Sequence, residues 1–321
     1  MTPPRGARAD RLVARGAARS LNIPASHRVS APLAEAGPAP RAPARGRARR
    51  VAVGLVVAYL LMMGLLAVLE RSLLFPAPTL PEGWLAAEAE AQGARVLAPV
   101  AEDGTRLYGW HLPAPASRGA VVWFEGNGGS VGMRPGAFRR LTDAGWDVVQ
   151  VNYRGYPGSE GTPSEAGLRM DARAAWAVAK GLGGPVWIYG KSLGGGVAIG
   201  LAAERCDADD APLALVVEST FASAARVGQE SLPWAPVGLV MRNRFDSLAR
   251  APRVTAPALV LHGDADTLIG PRHAEDLSAA LPNARVERFS AAGHNDELLT
   301  TDRGWAALTA LLEAAAVGAG R

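Results

Sequence analysis

Apolar residues follow three regimes along the chain. Residues 1–50 are rich in Arg, Ala, Pro and Gly, show no apolar period, and predict a tail without regular structure. Val51–Leu69 (VAVGLVVAYLLMMGLLAVL) is an unbroken run of nineteen uncharged residues. From about residue 90, short continuous apolar runs alternate with amphipathic stretches. Arg95–Val100 and Leu107–His111 predict an antiparallel pair around the turn Glu102-Asp103-Gly104. Further strands are predicted over Ala120–Phe124, Asp147–Asn152, Val186–Tyr189, Leu213–Val217, Ala258–Leu261 and Arg285–Phe289. Helices are predicted over Phe138–Ala144, Pro163–Leu182, Leu193–Arg205, Pro271–Ala280 and Asp302–Ala315, with Ser164 and Glu165 marking one start. Buried-type strands alternating with helices predict an α/β protein. Its sheet is mostly parallel and of the eight-stranded type, with helices on both faces.

The expected domain order is a tail over 1–50, an anchor over 51–70 and a catalytic domain over 71–321. Nineteen helical residues at ~1.5 Å each reach about 28 Å, close to the ~30 Å hydrocarbon core of a bilayer. Arg47, Arg49 and Arg50 precede the run, and Glu70 and Arg71 close it. The excess of Arg before the span predicts a single-pass cell-membrane protein with a cytoplasmic N-terminus and an extracytoplasmic or periplasmic domain. A cleaved signal peptide would end in a small-x-small site, which Ala67-Val68-Leu69 does not supply. An Arg-rich, acid-poor start also suits an organelle-targeting peptide, but the long apolar run follows it directly.

Charge sharpens this division. The first fifty residues hold eleven Arg against one Asp and one Glu, a local charge of +9 in a chain that totals +4. The remainder therefore carries −5, which argues against a nucleic-acid partner for the folded domain. Cys206 is the one cysteine, so no internal disulfide forms, and its place at the end of an Ala-rich helix predicts packing. A Cys-based zinc site is excluded.

The run Gly190-Lys-Ser192-Leu-Gly194 reads G-x-S-x-G between a predicted strand and helix. A nucleophile presented on a strained turn needs small neighbours so that strand and helix pack closely. Ser192 is the candidate nucleophile. The chain order for such a site is Ser, acid, His. His27 and His111 precede Ser192, His262 lies on the strand leading to the acid, and His273 sits seven residues beyond that acid. His294, in the loop between the last strand and the last helix, is the candidate base. The strand Ala258–Leu261 leads into His262-Gly-Asp264-Ala-Asp266. Asp266 is the candidate acid, and Asp264 is held in reserve with turn capping as its other role. Oxyanion donors are expected from the backbone N–H of Leu193 and of Asn127, the latter in the Gly-rich loop Glu125–Gly129.

These residues together resemble the α/β-hydrolase superfamily. More narrowly they are similar to the small bud-emergence-type branch, which includes lysophospholipid lipases and protein depalmitoylases. The narrow resemblance is carried by Asn152-Tyr-Arg-Gly155-Tyr156, Ser159-Glu-Gly161-Thr-Pro-Ser-Glu165-Ala-Gly-Leu168, Asp171-Ala172, Arg244-Phe-Asp246-Ser, His262–Asp266, Gly293-His-Asn-Asp296 and Leu74-Phe75-Pro76. It covers roughly residues 70–315. It implies Ser192, Asp266 and His294 as the triad and an N-terminal anchor with the domain outside the cytoplasm. Many members carry His-Gly where this chain has Glu125-Gly126, and a carboxylate pointing inward there would repel an oxyanion.

The expected activity is hydrolysis of a carboxylic ester or thioester of an acyl-type or lipid substrate, with no cofactor and no metal. Residues 221–252 leave room for a small lid whose Trp234, Leu239, Val240 and Met241 either line an acyl pocket or pack onto the core. The other readings are a non-catalytic, membrane-tethered binding protein on the same fold, and a serine peptidase, for which no site for a free N-terminus is visible.

Overall fold

The computed structural model of the protein describes Gly37 and residues 44–319. Most of the predicted tail lies outside these described residues. Residues 44–50, assigned to that tail, are helical and extend the helix of the apolar run backwards. The chain divides into two units at Val53/Gly54. The described residues of the first, apart from Gly37, are the opening turns of helix α1 (Ala44–Leu74). The second holds the rest of α1 and everything that follows. Within α1, Gly46–Leu74 is long and apolar enough to cross a membrane.

A short helix α2 (Trp84–Ala91), which the sequence pattern did not predict, leads into the sheet. The eight strands are β1 (Arg95–Leu97), β2 (Gly109–Leu112), β3 (Ala120–Phe124), β4 (Asp147–Val151), β5 (Val186–Lys191), β6 (Leu215–Glu218), β7 (Ala258–Gly263) and β8 (Ala284–Phe289). They lie in the order β1-β2-β4-β3-β5-β6-β7-β8. β2 runs antiparallel to both β1 and β4, and all later pairs are parallel. The crossovers carry α3 (Pro135–Asp143), α4 (Glu165–Gly181), α5 (Leu193–Asp207) and α9 (Arg272–Ala280), and α10 (Asp302–Ala319) follows β8. The lid region between β6 and β7 contains α6 (Ala224–Ser231), α7 (Val237–Val240) and α8 (Ser247–Arg250).

Two cores sandwich the sheet. On β3, Ala120, Val122 and Phe124 join one core while Val121 and Trp123 join the other, as the two-residue period of a strand requires. The first core contains the buried faces of α4 and α5, and the second those of α3 and α10. Strands β3, β4, β5, β6 and β7 are buried throughout, which explains their mostly apolar sequences, while β8 at the sheet edge is half-exposed. Ser164 caps α4 by accepting the N–H of Gly167 at 3.1 Å. Cys206 packs half-buried against the first core.

Candidate active site

Ser192 stands between β5 and α5 with φ 52° and ψ −118°, a strained conformation for a residue with a side chain. Its backbone is pinned on both sides. The Ser192 N–H donates to the Glu218 carbonyl at 2.9 Å. Its carbonyl accepts from Gly195 N–H at 2.9 Å and from the Thr220 hydroxyl at 2.7 Å. The turn has no room for side chains. A Cβ on Gly190 would sit 2.2 Å from the Gly194 carbonyl oxygen, one on Gly194 2.2 Å from that of Phe124, and one on Gly195 2.2 Å from Thr220 Oγ1. Each glycine is thus required by close approach of neighbouring groups.

His294 Nε2 lies 3.1 Å from Ser192 Oγ, and His294 Nδ1 lies 2.8 Å from Asp266 Oδ2. Asp266 is buried and its other oxygen accepts the backbone N–H groups of Leu268 at 3.0 Å and Ile269 at 2.8 Å. Burial pushes the Asp266 carboxyl up. Against this, the hydrogen bonds from His294 and Ile269 and the neighbouring imidazoles hold it below the ordinary carboxylate value. An ionised carboxylate only accepts, so the His294 proton sits on Nδ1 and leaves Nε2 free to accept from the Ser192 hydroxyl.

The other acids and histidines are committed elsewhere. Asp264, expected to cap the turn, pairs instead with Arg288 at 2.5 Å. The turn-capping carboxylate is Asp266 itself. His262 is buried with Nε2 2.8 Å from the Ile269 carbonyl, and burial lowers its pKa. His273 Nδ1 accepts the Ala222 N–H, and its Nε2 is 3.0 Å from Glu230.

The loop after β3 brings Asn127 to the same cavity as Ser192 and Leu193. Leu193 opens α5, so its N–H has no acceptor within the helix. No protein acceptor is found for the Asn127 N–H among the described residues, whereas the Gly126 N–H is taken by Glu125 Oε2 at 3.2 Å. Glu125 is not among the residues that line this cavity. It accepts from Trp123 Nε1 at 3.0 Å and from Arg134 Nε at 3.2 Å, and Arg134 bridges onward to Glu297 at 2.7 Å.

Several residues that support this arrangement carry no signal in local patterning. Tyr153 donates its hydroxyl to the Glu125 carbonyl at 2.8 Å, and Tyr156 donates to the Asn127 carbonyl at 2.7 Å. Tyrosines of the Asn152–Tyr156 motif thereby turn the loop's carbonyls away and hold its amides in place. Lys191, the residue before Ser192, is buried. It donates to Glu218 Oε1 at 2.5 Å and to the Asp296 carbonyl at 2.6 Å. Glu218 Oε2 accepts the Leu299 N–H at 2.9 Å, so the pair ties the His294 loop to the sheet. Of the lid residues expected to line a pocket, Val240 and Met241 do so, while Trp234 and Leu239 are exposed.

A strained serine between a parallel strand and a helix, on an eight-stranded sheet of this order, defines the class. The chain belongs to the α/β-hydrolase superfamily. An uncharacterized protein of Mycobacterium tuberculosis is 38% identical over 209 residues, covering 63% of this chain and 73% of that protein. The lysophosphatidylserine lipase ABHD12 of Danio rerio is 32% identical over 171 residues, covering 48% of this chain and 45% of the lipase. An α/β hydrolase from Vibrio vulnificus superposes with a TM-score of 0.61 at 21% identity, covering 75% of this chain and 89% of that one. No protein-family model matches the chain.

Proposed function

We propose that the protein is a serine hydrolase, held to a membrane by α1, that cleaves carboxylic esters or thioesters of acyl chains. The observation that carries this is the continuous hydrogen-bond chain from Ser192 Oγ through His294 to Asp266. Similarity to a lysophosphatidylserine lipase over part of its length favours an acyl substrate. The Arg residues before the apolar run favour a cytoplasmic N-terminus and a domain on the far side of the membrane.

In this mechanism His294 Nε2 takes the proton of Ser192 as Oγ bonds to the carbonyl carbon and the carbonyl π pair moves to oxygen. The N–H groups of Leu193 and Asn127 stabilise that oxyanion. As the tetrahedral species collapses, the bond to the leaving alkoxide or thiolate breaks, and His294 supplies its proton. Water then loses a proton to His294 and adds to the acyl carbon. The second collapse expels Ser192 Oγ, which recovers its proton from His294, and the free acid leaves. Asp266 holds the imidazole tautomer and stabilises the transient imidazolium.

The test is hydrolysis of 4-nitrophenyl butyrate by the full chain in detergent. Ser192→Ala is expected to lower kcat by ~10⁴-fold or more without changing the melting temperature appreciably. A Ser192→Ala protein that retains wild-type turnover would remove Ser192 from the chemistry.

A further inference from the structure

The cavity at Ser192 is not enclosed by the hydrolase core alone. Helix α1 is exposed along most of its length, as suits a helix in lipid, but one stripe departs from this. Met63 is 8% exposed, and Leu66, Ala67, Glu70 and Leu74 are half-buried. Their spacing of i, i+3, i+4, i+7 and i+11 places them on one helical face. Met63, Leu66 and Leu74 line the same cavity as Ser192, Leu193 and Asn127.

The stripe is fixed by polar contacts. Glu70 Oε1 accepts the backbone N–H groups of Arg242 at 2.9 Å and Asn243 at 2.8 Å, together with the Asn243 side-chain amide at 3.1 Å. About three turns upstream, Tyr59 donates its hydroxyl to the Trp234 carbonyl at 3.3 Å and meets that indole edge-on. Both contacts join α1 to the lid. A helix serving only as a tether has no need of them.

We infer that the C-terminal turns of α1 are one wall of an acyl-chain channel, and that the substrate is a lipid ester whose acyl chain lies along this wall with its carbonyl at Ser192. The inference rests on the hydrolase reading above and adds the α1 wall and the route by which the acyl chain reaches Ser192. The cavity holds about 340 Å³. The wall is apolar, and Glu70, its one carboxylate, is engaged by the lid amides. A charged headgroup or a peptide therefore has no partners inside the channel and stays at its mouth. Leu268, which lines the cavity, is 58% exposed, and Trp234, which meets Tyr59 of α1, is 49% exposed. These apolar groups sit beside a helix built for hydrocarbon, and a bilayer surface is the environment that covers them. A chain resident in the membrane then reaches Ser192 along α1 without crossing water.

The test uses the full chain in phosphatidylcholine vesicles and the ratio of hydrolysis rates on dodecanoyl and butyryl 4-nitrophenyl esters. Met63→Trp fills the channel, and the ratio is expected to fall at least tenfold. Met63→Ala enlarges it, and the optimum is expected to move to longer chains. Leu61→Trp, on the exposed face of the same helix (69%), is expected to keep the wild-type ratio. Opposite responses to enlarging and filling one position do not arise from misfolding. If both Met63 variants keep the wild-type ratio while wild type is active and Ser192→Ala is not, the wall is refuted and the hydrolase reading stands. If wild type hydrolyses neither ester, both fail.

Discussion

At the residue scale, the site depends on where backbone groups point more than on which charges are present. The carbonyls of Glu125 and Asn127 are held by the hydroxyls of Tyr153 and Tyr156, and the Asn127 amide has no protein acceptor among the described residues. Removing one such hydroxyl removes a neutral hydrogen bond, worth about 1 kcal/mol, from a loop that must not move during the reaction. Tyr156→Phe is therefore expected to lower kcat on the butyryl ester by roughly tenfold with little change in KM, since the oxyanion forms only in the transition state. Steady-state kinetics separate the two. A rise in KM at constant kcat would mean that Tyr156 shapes substrate binding instead. Glu125 shows the same logic with the opposite sign. Its carboxylate would oppose an oxyanion, but its Oε1 is engaged by Trp123 and Arg134 and its Oε2 by the Gly126 amide.

At the element scale, the turn after β5 and the loop after β8 are joined by a buried ion pair that neither element supplies alone. Lys191 ends β5, Glu218 ends β6, and together they hold the Asp296 carbonyl and the Leu299 amide, both just C-terminal to His294. Breaking a buried pair by removing one partner leaves an uncompensated charge and costs about 3–5 kcal/mol. Lys191→Met is expected to destabilise by that order in urea unfolding. Adding Glu218→Gln is expected to recover much of the loss, because the amide oxygen still accepts from Leu299. A single variant as stable as wild type would show that the pair has no structural role.

These ties also mark how far local pattern reaches. Strands β3, β4, β5 and β7 were legible because a strand buried on both faces is mostly apolar, and their predicted and observed limits differ by at most two residues. Helix α2 was not, since WLAAEAEA carries no clear apolar stripe. The elbow and its order of Ser, acid and His could be read because the glycines are imposed by sterics within a few residues of Ser192. Choosing Asp266 over Asp264 depends on which face of a turn each side chain leaves, which backbone geometry decides. Glu70 binding Asn243, 173 positions away, has no local signature at all.

At the scale of the whole molecule, pH acts through groups whose folded values are depressed. Burial lowers the pKa of His262 below 6.5, so the unfolded chain takes up a proton first as pH falls. Its contribution is complete above about 6.5 and is lost as pH drops through the folded value. Asp266 has the same sign but begins near the ordinary carboxylate value of 3.8. The melting temperature is therefore expected to decline in two stages on acidification, and His262→Gln is expected to flatten the stage that begins near pH 6.5. Thermal melts of both proteins between pH 5 and 8 check this, and an unchanged slope in the variant would assign that stage to another group.

The same scale joins anchor, lid and sheet. A helix apolar enough to cross a membrane, a lid clamped to it by Glu70, and a cavity that both share make the membrane part of the proposed site rather than its support. All of this depends on Ser192 being an activated nucleophile. The most direct measurement is reaction of the full chain in vesicles with a fluorophosphonate probe, with Ser192→Ala and His294→Ala beside it. Labelling of wild type, mapped to Ser192 and lost in both variants, is the predicted result. A folded wild-type protein that stays unlabelled, or one labelled equally well without His294, would contradict it and leave a membrane-tethered binding protein as the better account.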